Sequence, residues 1–210
     1  MNIYFLVEGK TEKKVYPKWL PFLIPELKQV QQHDKVVHNN YFVFMGNGYE
    51  NLLSHLPNSI GDVNDMGEFD YFIVCIDADD KQAEERRQEV LDAIEEGNIA
   101  LAANTQLAIV VQQKCMETWF LGNPAIFKEN PENNFLKVCV PFYNVKQDDP
   151  ELMGKPAIYE GSIAQFHYNY LQNLLKERNV FYRKDNPQEV VEKYFLDKLI
   201  ERNKTTTHLP

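Results

Sequence analysis

A chain of 210 residues, 44% hydrophobic and 25% charged, is long enough to bury one sizeable core and to carry a small second lobe. Its net charge of −9 argues against a protein that coats nucleic acid through charge alone, so any basic groups must act locally. No apolar run approaches the roughly 20 residues that span a bilayer, and Met1 leads straight into a strand without a signal-peptide pattern, so a soluble, cytoplasmic protein with no membrane partner is expected.

Short apolar runs alternate with longer polar stretches through the first half, the pattern of βαβ units around a parallel sheet. Strands are predicted near residues 2–8, 41–45, 70–77 and 107–112, with helices from Thr11 to about Gln32, Tyr49 to about Ile60 and Asp80 to about Glu96, the last ended by Gly97. Pro17, Pro21 and Pro25 conflict with a regular first helix, so a short helix, a kink and irregular chain are expected there. Gly46-Asn47-Gly48 reads as a turn, or as backbone amides that approach a phosphate. Lys114 to Leu121 begins as a helix or turn, and Pro124, Pro131 and Pro141 mark a looser connection. Residues 161–178 and 187–203 read as two amphipathic helices, the second opened by Asn186, Pro187 and Glu189 as N-cap, N1 proline and capping-box acid, with Val191, Phe195, Leu199 and Ile200 facing its partner. The chain stops abruptly at Thr205-Thr206-Thr207-His208-Leu209-Pro210, which suggests truncation or a tail ordered by a partner. The fold class is therefore α/β, a Rossmann-like parallel four-stranded sheet with flanking helices over residues 1–123, with a mainly helical C-terminal extension over 124–210 packed on it.

Cys75, Cys115 and Cys139 are odd in number, far apart and set among apolar residues, so buried thiols are expected rather than disulfides or a zinc cluster. The five histidines show no ligand spacing and receive no catalytic role. Basic residues gather at Lys10, Lys13, Lys14 and Lys18, at Arg86 and Arg87, and near the C-terminus; each cluster reads first as a solvated face. Trp119 and Phe120 could stack a base, but Met116 and Leu121 beside them favour core packing, as does helical spacing for Tyr168, Tyr170, Tyr182 and Tyr194.

Acidic residues punctuate the strand ends. Glu8 follows the first apolar run, and the run from Tyr71 to Ile76 ends in Asp77-Ala78-Asp79-Asp80. In open α/β sheets, ligands bind in the crevice beyond the carboxyl ends of the strands. Carboxylates converging there suit magnesium, which takes oxygen ligands and retains waters. Alternation along an extended segment would point Asp77 and Asp79 the same way, leaving Asp80 to cap the next helix. Glu12, four residues after Glu8, would return to the same mouth and could ligate a second ion. Each motif alone could be only a cap or a turn; their combination carries the metal-site reading. Lys114, just past the fourth strand, could stabilise charge on a scissile phosphate or lie solvated.

These motifs resemble the Toprim domain of topoisomerases, bacterial primases and overcoming-lysogenization-defect (OLD) nucleases, which has a glutamate after its first strand and Asp-x-Asp after its third. Val7-Glu8-Gly9-Lys10-Thr11-Glu12 and Ile76-Asp77-Ala78-Asp79 match in order and placement, and Glu117-Thr118-Trp119-Phe120-Leu121 matches a Glu-x-Trp-x-Leu segment of small bacterial Toprim-like proteins. The resemblance covers roughly residues 1–123. It implies Glu8, Asp77 and Asp79 as core metal and acid/base residues, Glu12 at a second metal, Glu117 as an outer ligand and Glu84 as the acidic residue of the third helix. The cofactor would be Mg²⁺ or Mn²⁺, the substrate DNA or RNA, and the setting defence against phages or mobile elements. The chain departs from OLD proteins in lacking a phosphate loop, so any ATPase must be a separate polypeptide. The expected activity is a metal-dependent nuclease, as monomer or homodimer; the alternatives are a non-catalytic regulatory subunit and, more remotely, a phosphohydrolase with an aspartyl nucleophile.

Overall fold

Alternation along the first strand builds the first layer of the protein. In β1, Ile3–Val7, the side chains of Tyr4 and Leu6 join one buried cluster, whereas Ile3, Phe5 and Val7 join another. A strand buried on both faces is continuously apolar, because each face meets helices. In the computed structural model, which describes residues 1–206, this strand is the centre of a five-stranded sheet. The other strands are β2, Lys28–Gln29; β3, Asn40–Met45; β4, Tyr71–Asp77; and β5, Gln106–Gln112; their order across the sheet is β2-β3-β1-β4-β5. Val7 pairs with Met45 on one side and Cys75 on the other, in parallel register. The carboxyl ends of β3, β1 and β4 are therefore level.

The expected four strands are corrected to five. The additional strand, β2, has two exposed residues that pair with Asn40 and Tyr41. It lacks any apolar run because neither of its faces is buried.

Helix α1, Lys10–Leu23, follows β1 and runs through both Pro17 and Pro21 without the expected break. Each proline removes one helical hydrogen bond, but Val15, Trp19 and Leu20 are buried, and that burial outweighs intrinsic propensity. Helix α2, Tyr49–Met66, outlasts its expected end at residue 60 and stops at left-handed Gly67. Its Leu52, Leu56, Ile60 and Val63 cover Tyr4, Leu6, Phe72 and Val74. Helix α3, Ala83–Glu96, starts at Gln82 rather than at Asp80, and Gly97 closes it in a right-handed conformation while Asn98 takes the left-handed one.

Chain contacts divide the molecule into two units, Met1–Asp77 with Gln82–Val111, and Ala78–Lys81 with the residues from Gln112 on. The second unit is helical: α4, Met116–Leu121; α5, Asn134–Phe142; α6, Ile163–Lys176; and α7, Lys193–Thr205. Asp80 belongs here, and its Oδ1 accepts from the Ile163 N–H at 3.4 Å, so it serves the start of α6 instead of α3. The expected helix from 187 is corrected to a short 3-10 turn, Gln188–Val191, followed by α7. Gln188 adopts a left-handed φ of +46°, which no α-helix continues through. Phe195 and Leu199 are buried as expected, together with Val190 and Leu196. Tyr170 and Tyr182 are buried, but Tyr194 is 53% exposed and donates instead to Glu189. The interior of this unit is tied by Arg202, 4% exposed, which donates to the carbonyls of Gly122, Val145 and Asp148 at 3.0, 2.6 and 2.8 Å.

All three cysteines are buried free thiols. No helix among the described residues is long and apolar enough to cross a membrane. His208 and the tail beyond residue 206 lie outside the described residues.

Candidate active site at the end of the central strand

The chain leaves β1 toward α1 and β3 on one side, and returns to β4 on the other. The end of β1 is thus a topological switch point, where two connections diverge and leave a crevice. Glu8 occupies that point. Its backbone N–H donates to the Cys75 carbonyl at 3.0 Å, continuing the pairing with β4, and its Oε2 accepts from the Asp77 N–H at 3.0 Å. The carboxylate is thereby held against the end of the neighbouring strand. Glu12, only 2% exposed in the first turn of α1, folds back over the same turn. A Cβ at Gly9 would lie 3.3 Å from its Oε2, so the glycine makes room for this carboxylate.

The third wall of this strand end is the Gly46-Asn47-Gly48 turn. Gly46 N–H donates to the Val7 carbonyl and Gly48 N–H to the Glu8 carbonyl, each at 2.9 Å. Gly46 packs so closely that a Cβ would sit 2.7 Å from Cα and Cβ of Leu52 on α2. Both glycine amides are spent within the protein, which accounts for the motif as a turn.

Below the carboxylates lies a pair that the sequence did not mark. Burial holds the Cys75 thiol up at about 12 despite a hydrogen bond from Tyr16 that opposes the shift, and nearby Glu12 raises it further. The Tyr16 hydroxyl is likewise raised well above its ordinary range, by burial first and then by the charges of Cys75, Glu12 and Asp77. Both remain neutral at ordinary pH. A second unpredicted group stands at the start of α2, where the Arg86 guanidinium lies 3.9 Å above the Tyr49 ring and donates to Glu89 at 3.0 Å. Tyr49 donates to the same carboxylate oxygen at 2.7 Å. Arg86 is 9% exposed, so the expectation of a solvated Arg86–Arg87 face holds only for Arg87. No residue spacing signals such a stack.

The first unit thus brings together Glu8, Glu12 and Asp77. Glu84 is not among them: its side chain is 85% exposed and pairs with Arg87 at 3.6 Å. Asp79, Lys114 and Glu117 lie in the second unit. There, Asp79 N–H donates to the Lys114 carbonyl at 2.8 Å, and Ala78 N–H donates to Gln112 at 2.9 Å. Asp79 and Lys114 both adopt left-handed backbone, with φ of +53° and +71°. Non-glycine residues held so carry strain that the surrounding hydrogen bonds must offset. Glu117 is 1% exposed on α4, where its Oε1 accepts from the Tyr182 hydroxyl at 2.7 Å and its Oε2 lies 3.6 Å from Lys184 Nζ. Its neighbour Thr118 bonds to Nδ1 of buried His167 at 2.8 Å, while Nε2 meets the Met153 carbonyl at 3.0 Å. A carbonyl can only accept, so Nε2 carries the proton and Nδ1 accepts from Thr118. Burial lowers the His167 pKa to about 4, with the Lys114 charge adding to the effect. Phe120 is buried edge-on against Tyr182 and Phe195, so it is not presented for base stacking; half-buried Trp119 donates to Glu151 at 3.0 Å.

No three His, Cys, Asp or Glu side chains among the described residues form a ready-made metal cage. The donor chemistry nevertheless suits a hard cation, since Glu8, Glu12 and Asp77 are all carboxylates, and magnesium needs only one or two such ligands beside its waters.

Comparison with known proteins yields one family. The model described as "Domain of unknown function (DUF4276)" matches residues 7–153. No curated protein and no solved structure matches the chain.

Proposed function

The chain belongs to the DUF4276 family, and from its strand-end carboxylates we propose a metal-dependent phosphodiesterase of Toprim type, acting on DNA or RNA. The observation that carries this reading is the 3.0 Å bond from the Asp77 N–H to the Glu8 carboxylate at the switch point of the sheet. A structural glutamate has no need to be placed there, whereas ligand sites of open α/β sheets concentrate there.

Glu8 and Asp77 would hold Mg²⁺ or Mn²⁺, with Glu12 serving a second ion. When bound, the cation supplies charge to the phosphate oxygens and makes water a better nucleophile. The side chains do the rest. Glu8 is oriented by the Asp77 amide, and Glu12 is oriented by its place in the first turn of α1. Exposed Lys10, Lys13 and Lys14 on that helix would draw the phosphate backbone inward. The family resemblance further suggests a role in phage or mobile-element defence, with a separate ATPase.

The test is cleavage of single-stranded, duplex and tRNA substrates with Mg²⁺ or Mn²⁺. Glu8→Gln and Asp77→Asn should each lower the rate by about 100-fold or more, since losing a group that orients a metal ligand already costs about 10–100-fold. Chelation with EDTA should abolish it. Cleavage that survives both substitutions would discard the site.

A partner-binding subunit without catalysis is the second reading. It is favoured by exposed apolar side chains in the second unit, with Leu152 at 77% and Ile158 at 78% exposure. It predicts no cleavage at any salt concentration and a stable partner on purification.

A further inference from the structure

The segment that follows α6 carries an aromatic side chain on the wrong side for packing. Helix α6 is closed by Asn179 at a φ of +61°, with the Val180 N–H donating to the Leu175 carbonyl at 3.0 Å. The chain then runs extended, so alternate side chains face opposite ways. Val180 is 5% and Tyr182 1% exposed, whereas Phe181 between them is 63% exposed. The segment is anchored, because Gln172 Nε2 donates to the Tyr182 carbonyl at 3.1 Å and Arg183 N–H bonds back to Asn186 at 3.2 Å. Phe181 is thus held outward by backbone geometry.

It stands at the wall of a cavity of about 330 Å³, lined also by Gln172, Asn173, Lys176, Tyr182 and Arg183. That volume falls within the range of small-ligand pockets. The lining contains two cations and no carboxylate. Arg183 is held by Asp185 in a bidentate pair, Nε to Oδ1 at 3.0 Å and Nη2 to Oδ2 at 2.9 Å; with its side chain 67% exposed, a phosphate reaches the guanidinium from the solvent side. In a chain of net charge −9, a cavity wall combining an exposed phenyl ring, a lysine and an arginine is chemically selective, while its Gln172 and Asn173 amides are engaged within the protein. A phosphate would meet the cations and an unpaired base would stack on the ring.

We infer that this cavity on α6 and the Val180–Arg183 segment is a binding subsite for one unpaired nucleotide of a single-stranded nucleic acid, with Phe181 stacking the base and Lys176 and Arg183 holding its phosphate. The inference deepens the nuclease reading, from which it takes its polymer, and specifies single strands. Duplex bases are already stacked on one another and offer Phe181 nothing.

Binding is measured in EDTA, so that catalysis plays no part. Labelled 12-mers of dT and rU and a 12-base-pair duplex are titrated by fluorescence anisotropy against the full chain. Phe181→Ala should weaken single-strand binding by at least about fivefold, the lower end of what a base–aromatic stack contributes, and leave duplex binding unchanged. Lys176→Glu should weaken it as well. Both substituted residues are exposed, and unchanged thermal melting confirms that the variants are folded. Absence of single-strand binding by the wild-type protein, or equal binding by Phe181→Ala, overturns the subsite; AMP binding as tightly as the 12-mers overturns the strand assignment. Loss of cleavage with Phe181-dependent binding intact would remove the nuclease reading alone.

Discussion

At the scale of single residues, His167 shows how a buried polar group is satisfied and what that costs in acid. Its two ring nitrogens are both engaged in the neutral form, by Thr118 and the Met153 carbonyl. With a folded pKa of about 4 against 6.5, the unfolded chain takes up a proton across that interval and the native protein does not. Stability therefore falls as pH drops from about 6.5 to about 4, by an amount on the order of 3 kcal/mol from this residue, and levels off below. Urea unfolding at pH 7 and pH 4.5 should reveal the difference, and His167→Gln should flatten it. The strand-end carboxylates Glu8 and Asp77 were legible from sequence because a carboxylate at the end of an apolar run is a conspicuous break in pattern. Tyr16 with Cys75, and Arg86 on Tyr49, were not, since each pair joins residues dozens of positions apart that have no pattern in common.

At the scale of elements, turns and helix ends decided most departures. The Gly46-Asn47-Gly48 turn joins β3 to α2 and bonds to β1 at Val7 and Glu8, so it couples packing to the position of the site. Gly46→Ala would drive a Cβ into the backbone of α2. Overpacking of this kind typically costs about 1–3 kcal/mol, and the urea midpoint should fall accordingly. If the turn also supports Glu8, cleavage by this variant should fall more steeply than its folded fraction. Four strands were readable because their apolar runs are buried on one or both faces. The two-residue β2 carries no such signal, and α1 ignores its prolines because Val15, Trp19 and Leu20 must be buried. Asp80 looked like the cap of the nearest helix in sequence and serves α6, 83 residues away. Capping chemistry is local, but its geometry is set by whichever N–H arrives.

At the scale of the whole molecule, charge limits how nucleic acid can be held. With a net charge of −9, attraction must come from small basic sets rather than a continuous surface. The one phosphate held by Lys176 and Arg183 would contribute about −0.7 to the log–log salt slope for a single strand. Anisotropy titrations between low and physiological salt would measure it; a slope several times steeper would indicate a broad basic face instead.

Periodicity and punctuation in the chain were enough to specify an α/β protein with a parallel sheet, buried thiols, and carboxylates at the ends of the first and third long strands, because these depend on burial patterns local to each segment. Tertiary structure alone decided that β1 is central with its neighbours diverging, that Glu8 reaches the Asp77 amide, and that Phe181 faces solvent while Phe120 does not. The physical reason is that strand order, side-chain reach and helix-end partners are set by contacts between segments far apart in the chain, whose energies no local pattern records.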